Sequence, residues 1–243
     1  MDDVSPPVLR LEFCGEWYEP SPDRPFAIGR EADLEVDDNP YLHRRFLELT
    51  CRQGLWWLAN LGSQLSATIS DDEGRFQGWL APGAHLPLVF ETVAVRFAAG
   101  ATSYELRLHL EAAPFSPGAL AAAPDGDTTL GRVVLTEDQR LLVLALAEPS
   151  LRQDGAGRAV LPSSAMAAER LGWPVTKFNR KLDNVCQKLK RAGVRGLHGG
   201  PDQLASDRRG RLVEYTLAVR LVSPTDLPLL DRAASEISLP ERE

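Results

Sequence analysis

PVTKFNRKLDNVCQKLKRAGVR, residues 174–195, is the stretch that decides the fold of the second half of the chain. At about 100° per residue, one helical stripe collects four apolar side chains: Phe178, Leu182, Val185 and Leu189. A second stripe collects polar ones: Lys177, Arg180, Lys181, Asn184, Lys188 and Arg191. Between positions 177 and 195, seven Lys or Arg accompany one acid. This positive charge favours a polyanion as partner; the alternative is an ordinary solvated helix face.

The residues before this segment predict two further helices. Gln139 follows Thr136 at the spacing of a capping box, which predicts a first helix over residues 137–148. A short Ala-rich helix is predicted between Ser163 and Gly172. Pro174 lies in the short connection to the basic helix and suits a helix entrance. Together these elements indicate a helix-turn-helix.

A strand pair is predicted after the basic helix, because two sets of side chains alternate over residues 212–220 and one set is apolar throughout. In element order and charge placement, residues 135–222 resemble the winged helix-turn-helix family, which has an α+β fold. The resemblance implies base contacts for a group in the basic helix: Lys177, Asn179, Arg180, Lys181 and Asn184. It implies DNA-phosphate contacts for a second group, the last three at the bend of the strand pair: Lys188, Arg191, Arg195, Arg208, Arg209 and Arg211.

Charge is distributed unevenly along a chain whose formal net charge is −7. Residues 1–130 contain nine basic and 20 acidic side chains, residues 131–221 contain 16 and nine, and residues 222–243 contain two and five. The acidic first half would repel DNA and the basic second half would attract it. A further hypothesis is that the acidic half or the tail masks the basic face.

The first half predicts an all-β sandwich. Over residues 8–112, short apolar or alternating runs recur between clusters of Pro, Gly, Asp and Asn. The runs include VLRLEF, FLELTC, LWWLANL and YELRLHLE. Their number predicts about ten strands.

Three segments of this half resemble the forkhead-associated (FHA) family: FAIGR at 26–30, YLHRRFLEL at 41–49 and WLANLGS at 57–63. The resemblance implies a β sandwich whose loops bind a phosphothreonine peptide at one end. Compared with the family's usual strings, His43 replaces a phosphate-binding Ser and Phe46 replaces a structural His. Leu65 and Ser66 stand where the family has Asn-Gly. The implied partner-binding residues are Arg30, His43, Arg44, Ser63 and Gln64.

Two interpretations of this altered pocket stay open. His43 could donate a hydrogen bond to a phosphate and, when protonated, add charge beside Arg30 and Arg44. Alternatively, the fold serves as a scaffold whose loops meet another protein surface or nothing. Arg30 could also form an ordinary surface pair with one of three neighbouring acids, Glu31, Asp33 or Glu35.

The predicted organisation is a sandwich at 1–112, a flexible linker at 113–131, a winged helix at 132–222 and an acidic tail at 223–243. No apolar run reaches the ~20 residues of a membrane span, and the first residues are acidic, so we expect a cytoplasmic protein without membrane contact. Cys14, Cys51 and Cys186 are widely spread, which predicts free, mostly buried thiols and no metal site. No cofactor is expected.

The chain has no catalytic motif, since its four histidines are scattered and it lacks G-x-S-x-G and a phosphate-binding Gly-rich loop. We therefore expect a non-enzymatic regulator that binds a protein partner through the FHA-like domain and DNA through the winged helix. The two resemblances together imply bacterial transcription control connected to Ser/Thr kinases. Two alternatives stay open: a structural adaptor in a protein assembly without a DNA role, and a phosphothreonine-peptide adaptor.

Overall fold

The computed structural model describes residues 7–115, 133–153, 155–197 and 205–237. In the first range, strands form two sheets that face each other. The strands are β1 (Leu9–Phe13), β2 (Glu16–Tyr18), β3 (Phe26–Gly29), β4 (Leu34–Glu35), β5 (Leu47–Arg52), β6 (Leu55–Asn60), β7 (Ala67–Asp71), β8 (Gln77–Leu80), β9 (His85–Pro87), β10 (Thr92–Ala99) and β11 (Thr102–Leu110).

The two sheets have the strand orders β2-β1-β11-β10-β7-β8 and β4-β3-β5-β6-β9. Strands β3 and β4 pair in parallel, and the other pairs in the two sheets are antiparallel. Along β6, the buried residues Trp56, Leu58 and Asn60 alternate with half-buried ones. This alternation directs one side-chain set between the sheets. The predicted β sandwich is therefore confirmed.

An apolar core fills the space between the sheets. Ile28 and Leu49 from one sheet and Val95 from the other are completely buried. The Phe97 ring contacts Phe46 and Tyr104, with ring centroids 4.8 and 5.0 Å away. Phe46 therefore holds the loop before β5 through apolar packing.

Helices dominate the described residues from 133 onward. They are α1 (Glu137–Leu151), α2 (Ser164–Arg170), α3 (Val175–Arg191), α4 (Ala205–Ala218) and α5 (Pro228–Ile237), with strand β12 (Gly157–Val160) before α2 and a 3₁₀ turn at Pro224–Asp226. The capping box predicted before α1 is present, because the Gln139 amide donates to Thr136 Oγ1 and the Thr136 amide donates to Gln139 Oε1. The predicted apolar stripe of α3 is buried, together with Cys186.

The strand predicted over residues 212–220 and the bend predicted at Arg208, Arg209 and Arg211 are wrong, because this segment belongs to α4 and its C-terminal turn. The helix lies between the sandwich and α1, so Leu212, Val213, Glu214 and Thr216 are all buried. A helix that is buried on most sides lacks a 3.6-residue pattern of polarity, and its sequence can then imitate a strand. Within the described residues, no wing hairpin follows α3.

Several contacts join the helices to the sandwich. Strand β12 pairs antiparallel with β11, where Arg158 faces Tyr104, and α4 packs on β10 and β7. Arg158 also forms an ion pair of 3.0 Å with Asp37, and the Arg220 guanidinium donates to the Asp72 carbonyl. The basic and acidic parts of the chain are therefore packed against each other.

The predicted linker and the predicted acidic tail are each described only in part. From residue 116 onward the predicted linker at 113–131 lies outside the described residues. In the acidic tail, α5 contacts α1. None of the described helices has the length and apolar character needed to cross a membrane.

Candidate functional site

A pocket of about 460 Å³ opens where loops of the sandwich converge. Three of its walls come from the loops after β3, before β5 and after β6. Its lining is Arg30, Pro40, Tyr41, Leu42, His43, Arg44, Ser63, Gln64, Leu65 and Gly100. All five residues of the predicted partner-binding site are among them, so segments separated in sequence meet at one place.

Gly29 allows two of these segments to approach closely. A Cβ at position 29 would collide with the Arg44 carbonyl, so a side chain there would push the loops apart. The Arg30 amide donates to the His43 carbonyl at 3.0 Å, and the Glu31 amide donates to the Arg44 carbonyl at 2.9 Å. These bonds fix Arg30 beside His43 and Arg44.

The pocket has a positive electrostatic character. The Arg44 guanidinium is 73% exposed and lies 3.3 Å from Glu31. Arg30 is closer to the interior, 3.9 Å from Glu31, and its Nε atom is buried without a hydrogen-bond partner. One carboxylate thus faces two guanidinium groups, and its pair with the exposed Arg44 is of the weak surface kind. An anionic ligand could compete for both arginines.

The His43 ring lies against the wall formed by Ser63. Its Nε2 atom accepts a hydrogen bond of 3.1 Å from the Ser63 amide and lies 3.2 Å from Ser63 Oγ. An Nε2 that accepts from an amide carries no proton, so the neutral ring carries its proton on Nδ1. Burial lowers the pKa of His43. The ring also stacks on Phe46 at an interplanar angle of 17°.

Asn60 supports the wall that carries Ser63, and it was not predicted as a site residue. Its side chain is buried, donates to the carbonyls of Leu65 and Leu80, and accepts from the Gly62 amide at 2.8 Å. One side chain thus satisfies two backbone groups of this loop and one at the end of β8. The position of Asn60 just before Leu61 and Gly62 was the available signal, since Asn often orders turns in this way.

Tyr41 is a second pocket residue that was not predicted. Its ring is 59% exposed and packs over Gly100, where a Cβ would lie 2.8 Å from the ring. Gly100 also has φ +60°, a conformation that favours glycine. Asn39 anchors the Tyr41 loop, because its side chain donates to the Ala99 carbonyl and the Tyr104 hydroxyl. An aromatic ring therefore borders the positive groups of the pocket.

A second candidate surface lies on α3. Arg180, Asn184, Gln187 and Arg191 are exposed, and their spacing places them on one stripe opposite the buried residues. None of these four forms a hydrogen bond or ion pair with another side chain in the described part of the chain. Gln187 was not predicted. Within that part, this stripe is open to a partner.

The other residues predicted on the basic helix, α3, or just after it divide into two groups. Three lysines contact the surrounding fold. Lys181 forms an ion pair with Asp138 at 2.6 Å, Lys188 donates to the Val134 carbonyl, and Lys177 lies 4.0 Å from the centroid of the Trp173 ring. Asn179 and Arg195 are exposed.

The three arginines predicted at a strand bend lie on α4 instead. Arg208 pairs with Asp183 of α3 at 2.7 Å, and Arg209 lies 3.5 Å from the Ser164 hydroxyl. Arg211 is buried beneath the sandwich surface, with a side chain that is 7% exposed. The prediction that Arg211 contacts DNA phosphate is therefore wrong in this structure, because the residue lies at an internal interface.

Arg211 belongs to a buried polar cluster between α4 and the sandwich. Its guanidinium lies 3.8 Å from the centroid of the Trp79 ring and 3.2 Å from Glu214, and it donates to the hydroxyl of Thr68. Burial raises the pKa of Glu214 to about 7, although the nearby Arg211 acts in the opposite direction. The Arg211 Nε also donates to the Arg195 carbonyl after α3, so this cluster connects the sandwich to the end of the basic helix.

The cysteines and the possible metal ligands can be located among the described residues. All three cysteines are free: Cys186 is buried, Cys51 is half-buried and Cys14 is exposed. The expectation of mostly buried thiols is thus wrong for Cys14. Among the described residues, no group of three or more His, Cys, Asp or Glu is arranged to hold a metal ion.

Comparisons with known proteins found similarity over the sandwich half. FHA-1 of Mycobacterium tuberculosis Rv1747 is 19% identical, with 44% of this chain and 99% of that domain covered and a TM-score of 0.34. An FHA domain of an Arabidopsis thaliana hypothetical protein is 16% identical, with 47% and 92% covered and a TM-score of 0.34. No protein-family model matches the chain, and no curated protein matches it.

Proposed function

We propose that the chain is a non-enzymatic regulator whose sandwich pocket binds a phosphorylated protein partner. The observation that carries this proposal is the convergence of Arg30, Arg44 and Ser63 around one open pocket. Guanidinium groups and a backbone amide are the donors that recognise phosphate in proteins. The resemblance of the three sequence segments to the FHA family supports phosphothreonine as the ligand.

The test uses the full chain and a pool of peptides centred on phosphothreonine, with the same peptides unphosphorylated. We expect capture of the phosphorylated pool and at least a tenfold loss for Arg30→Ala, equivalent to about 1.4 kcal/mol. Arg75→Ala is the matched control, since Arg75 is an exposed arginine paired with Glu73 outside the pocket. Equal capture of both pools, or equal losses for the two variants, would contradict the proposal.

A second candidate function is DNA binding by α3, which would make the chain a regulator of transcription. It is favoured by the exposed stripe of Arg180, Asn184, Gln187 and Arg191. Arginine and the side-chain amides are the groups that read base edges in the major groove. The α2 and α3 helices, separated by a short turn, support a helix-turn-helix geometry for this surface.

Its test is fluorescence anisotropy of the full chain with mixed-sequence duplex DNA at several salt concentrations. Each phosphate contact should contribute roughly 0.9 to the slope of log K against log salt. Binding that is insensitive to salt, or absent, would favour the adaptor alternative, in which α3 docks on an acidic protein. The proposed regulator then retains its phosphoprotein partner but lacks a role at DNA.

A further inference from the structure

We propose that His43 gates the phosphate pocket. The neutral ring accepts the hydrogen bond of the Ser63 amide, whereas the protonated ring leaves this amide free to donate to the ligand. This inference rests on the proposed phosphoprotein function, since it concerns the regulation of the same pocket. It predicts that phosphoryl binding is accompanied by the uptake of one proton from solvent.

The Ser63 amide of the pocket is already bound by the neutral His43 ring. His43 Nε2 accepts from the Ser63 amide at 3.1 Å, and both residues line the pocket. An amide has one hydrogen to donate, so the Ser63 amide cannot serve His43 and a phosphoryl oxygen equally well. A neutral His43 ring and the ligand therefore compete for the same donor.

Protonation reverses this competition. With a proton on Nε2, the ring becomes a donor on both sides and can no longer accept from Ser63. The amide hydrogen and the ring proton would then repel each other, while both can donate to one anion. The Ser63 hydroxyl, 3.2 Å from Nε2, can still accept from the protonated ring.

The surroundings of the His43 ring favour its neutral form through burial. Arg30 and Arg44 come from the two loops that meet His43, and Glu31 is the acid paired with both arginines. From the β6 side the ring meets Ser63 and Gly62, and Phe46 lies against it. Within the described residues no carboxylate forms an ion pair with His43, and burial lowers its pKa. A bound dianion supplies the missing negative charge and favours the protonated ring.

The test measures binding of inorganic sulfate to the full chain, because sulfate remains a dianion where a peptide phosphate titrates near pH 6. NMR would follow the Ser63 amide and the His43 ring between about pH 5.5 and about pH 8.5. Two variants separate the states: His43→Ser leaves the Ser63 amide free, and His43→Gln accepts from that amide without titrating.

In the wild-type protein we expect sulfate affinity to rise at least tenfold as the pH falls across this range, with up to about tenfold per pH unit allowed by one proton. The His43→Ser variant should bind sulfate more tightly than wild type at the alkaline end, and neither it nor His43→Gln should show the pH dependence. Sulfate should also raise the pKa of the wild-type His43 ring, a result that needs no variant.

Two negative outcomes are distinguishable. If sulfate and a phosphothreonine peptide perturb Ser63 and Arg30 but the pKa of His43 does not change, the gate is overturned and the proposed function stands. If neither ligand perturbs these residues at any pH, both the gate and the phosphoprotein function are overturned. Binding of sulfate that is equal in wild type and both variants at every pH also overturns the gate.

Discussion

Gly210 of α4 lies so close to Ala98 of β10 that a Cβ at position 210 would stand 2.5 Å from the Ala98 Cβ. This contact brings the helix backbone onto the surface of the sandwich. Glycine in a helix interior normally destabilises it by about 0.5–1 kcal/mol relative to alanine. At this position the close approach gives glycine a structural role that outweighs its poor helix propensity.

Gly210→Ala tests that role, because helix propensity and packing predict opposite signs. We expect destabilisation by about 1–3 kcal/mol from overpacking, measured by urea unfolding of the full chain. The double variant with Ala98→Gly should recover part of the loss, since it removes the opposing methyl group. A more stable Gly210→Ala protein would show that the two elements are not in close contact in solution.

Glu214 should make stability depend on pH. Its pKa is about 7 in the folded chain, against an ordinary value of 4.5. Below pH 4.5 the carboxyl is protonated in both the folded and the unfolded chain. Between 4.5 and 7 it ionises only in the unfolded chain, so its stabilising contribution falls as pH rises through this window and is level above it. The total change is about 3 kcal/mol.

Urea unfolding of wild type and Glu214→Gln at several pH values isolates this contribution as the difference between the two proteins. The variant should lose the fall in stability between pH 4.5 and 7 that wild type shows. It should also be less stable than wild type above pH 7, since Arg211 then remains buried without a negative partner. A difference that does not vary with pH would contradict the raised pKa of Glu214.

Asn60→Ala should disturb the pocket, because Asn60 supports the wall that carries Ser63. The variant leaves the Leu65 and Leu80 carbonyls and the Gly62 amide without their partner. We expect the free energy of unfolding, measured with urea, to fall by about 1–3 kcal/mol. The variant should also capture phosphothreonine peptides more weakly. Asn184→Ala is the control, since Asn184 is exposed, and it should stay within about 0.5 kcal/mol of wild type.

The arginines of the exposed stripe of α3 should contribute more to DNA binding than the lysines that contact the fold. Replacing Arg180 and Arg191 by Ala should reduce both the affinity for duplex DNA and the salt slope, measured by anisotropy. Lys181→Ala is the comparison, because Lys181 is held by Asp138 and should affect binding less. A larger loss from Lys181 than from the arginine pair would mean that the surface presented to DNA differs from this stripe.

The sandwich and the first three helices could be predicted because their sequence patterns are local. Alternation along β6, the capping box at Thr136 and the apolar stripe around Leu182 each identify an element without knowledge of the rest of the chain. The five predicted partner-binding residues also lie together around one pocket. Here local pattern and tertiary structure agree.

The missed features depend on tertiary contacts. The sequence of α4 contains buried, satisfied polar residues such as Glu214 and Thr216, so polarity did not mark its exposed side. Strand β12 has four residues and exists as a strand through its pairing with β11, which no short sequence window can reveal. Asn60 acts through backbone groups of Gly62, Leu65 and Leu80, which follow its own strand. Its role appears only once the loops are closed.

The pairing of β12 with β11 would still join the two halves of the chain if the segment between them were cut. A break anywhere within residues 116–132 would leave the strand and its partner on separate polypeptides, still joined by four residue pairs and by the packing of α4 on the sandwich. Such pieces are complementary fragments. Each would present the other with an unfilled sheet edge and an uncovered face, so that two halves expressed apart would reassemble by recognising one another.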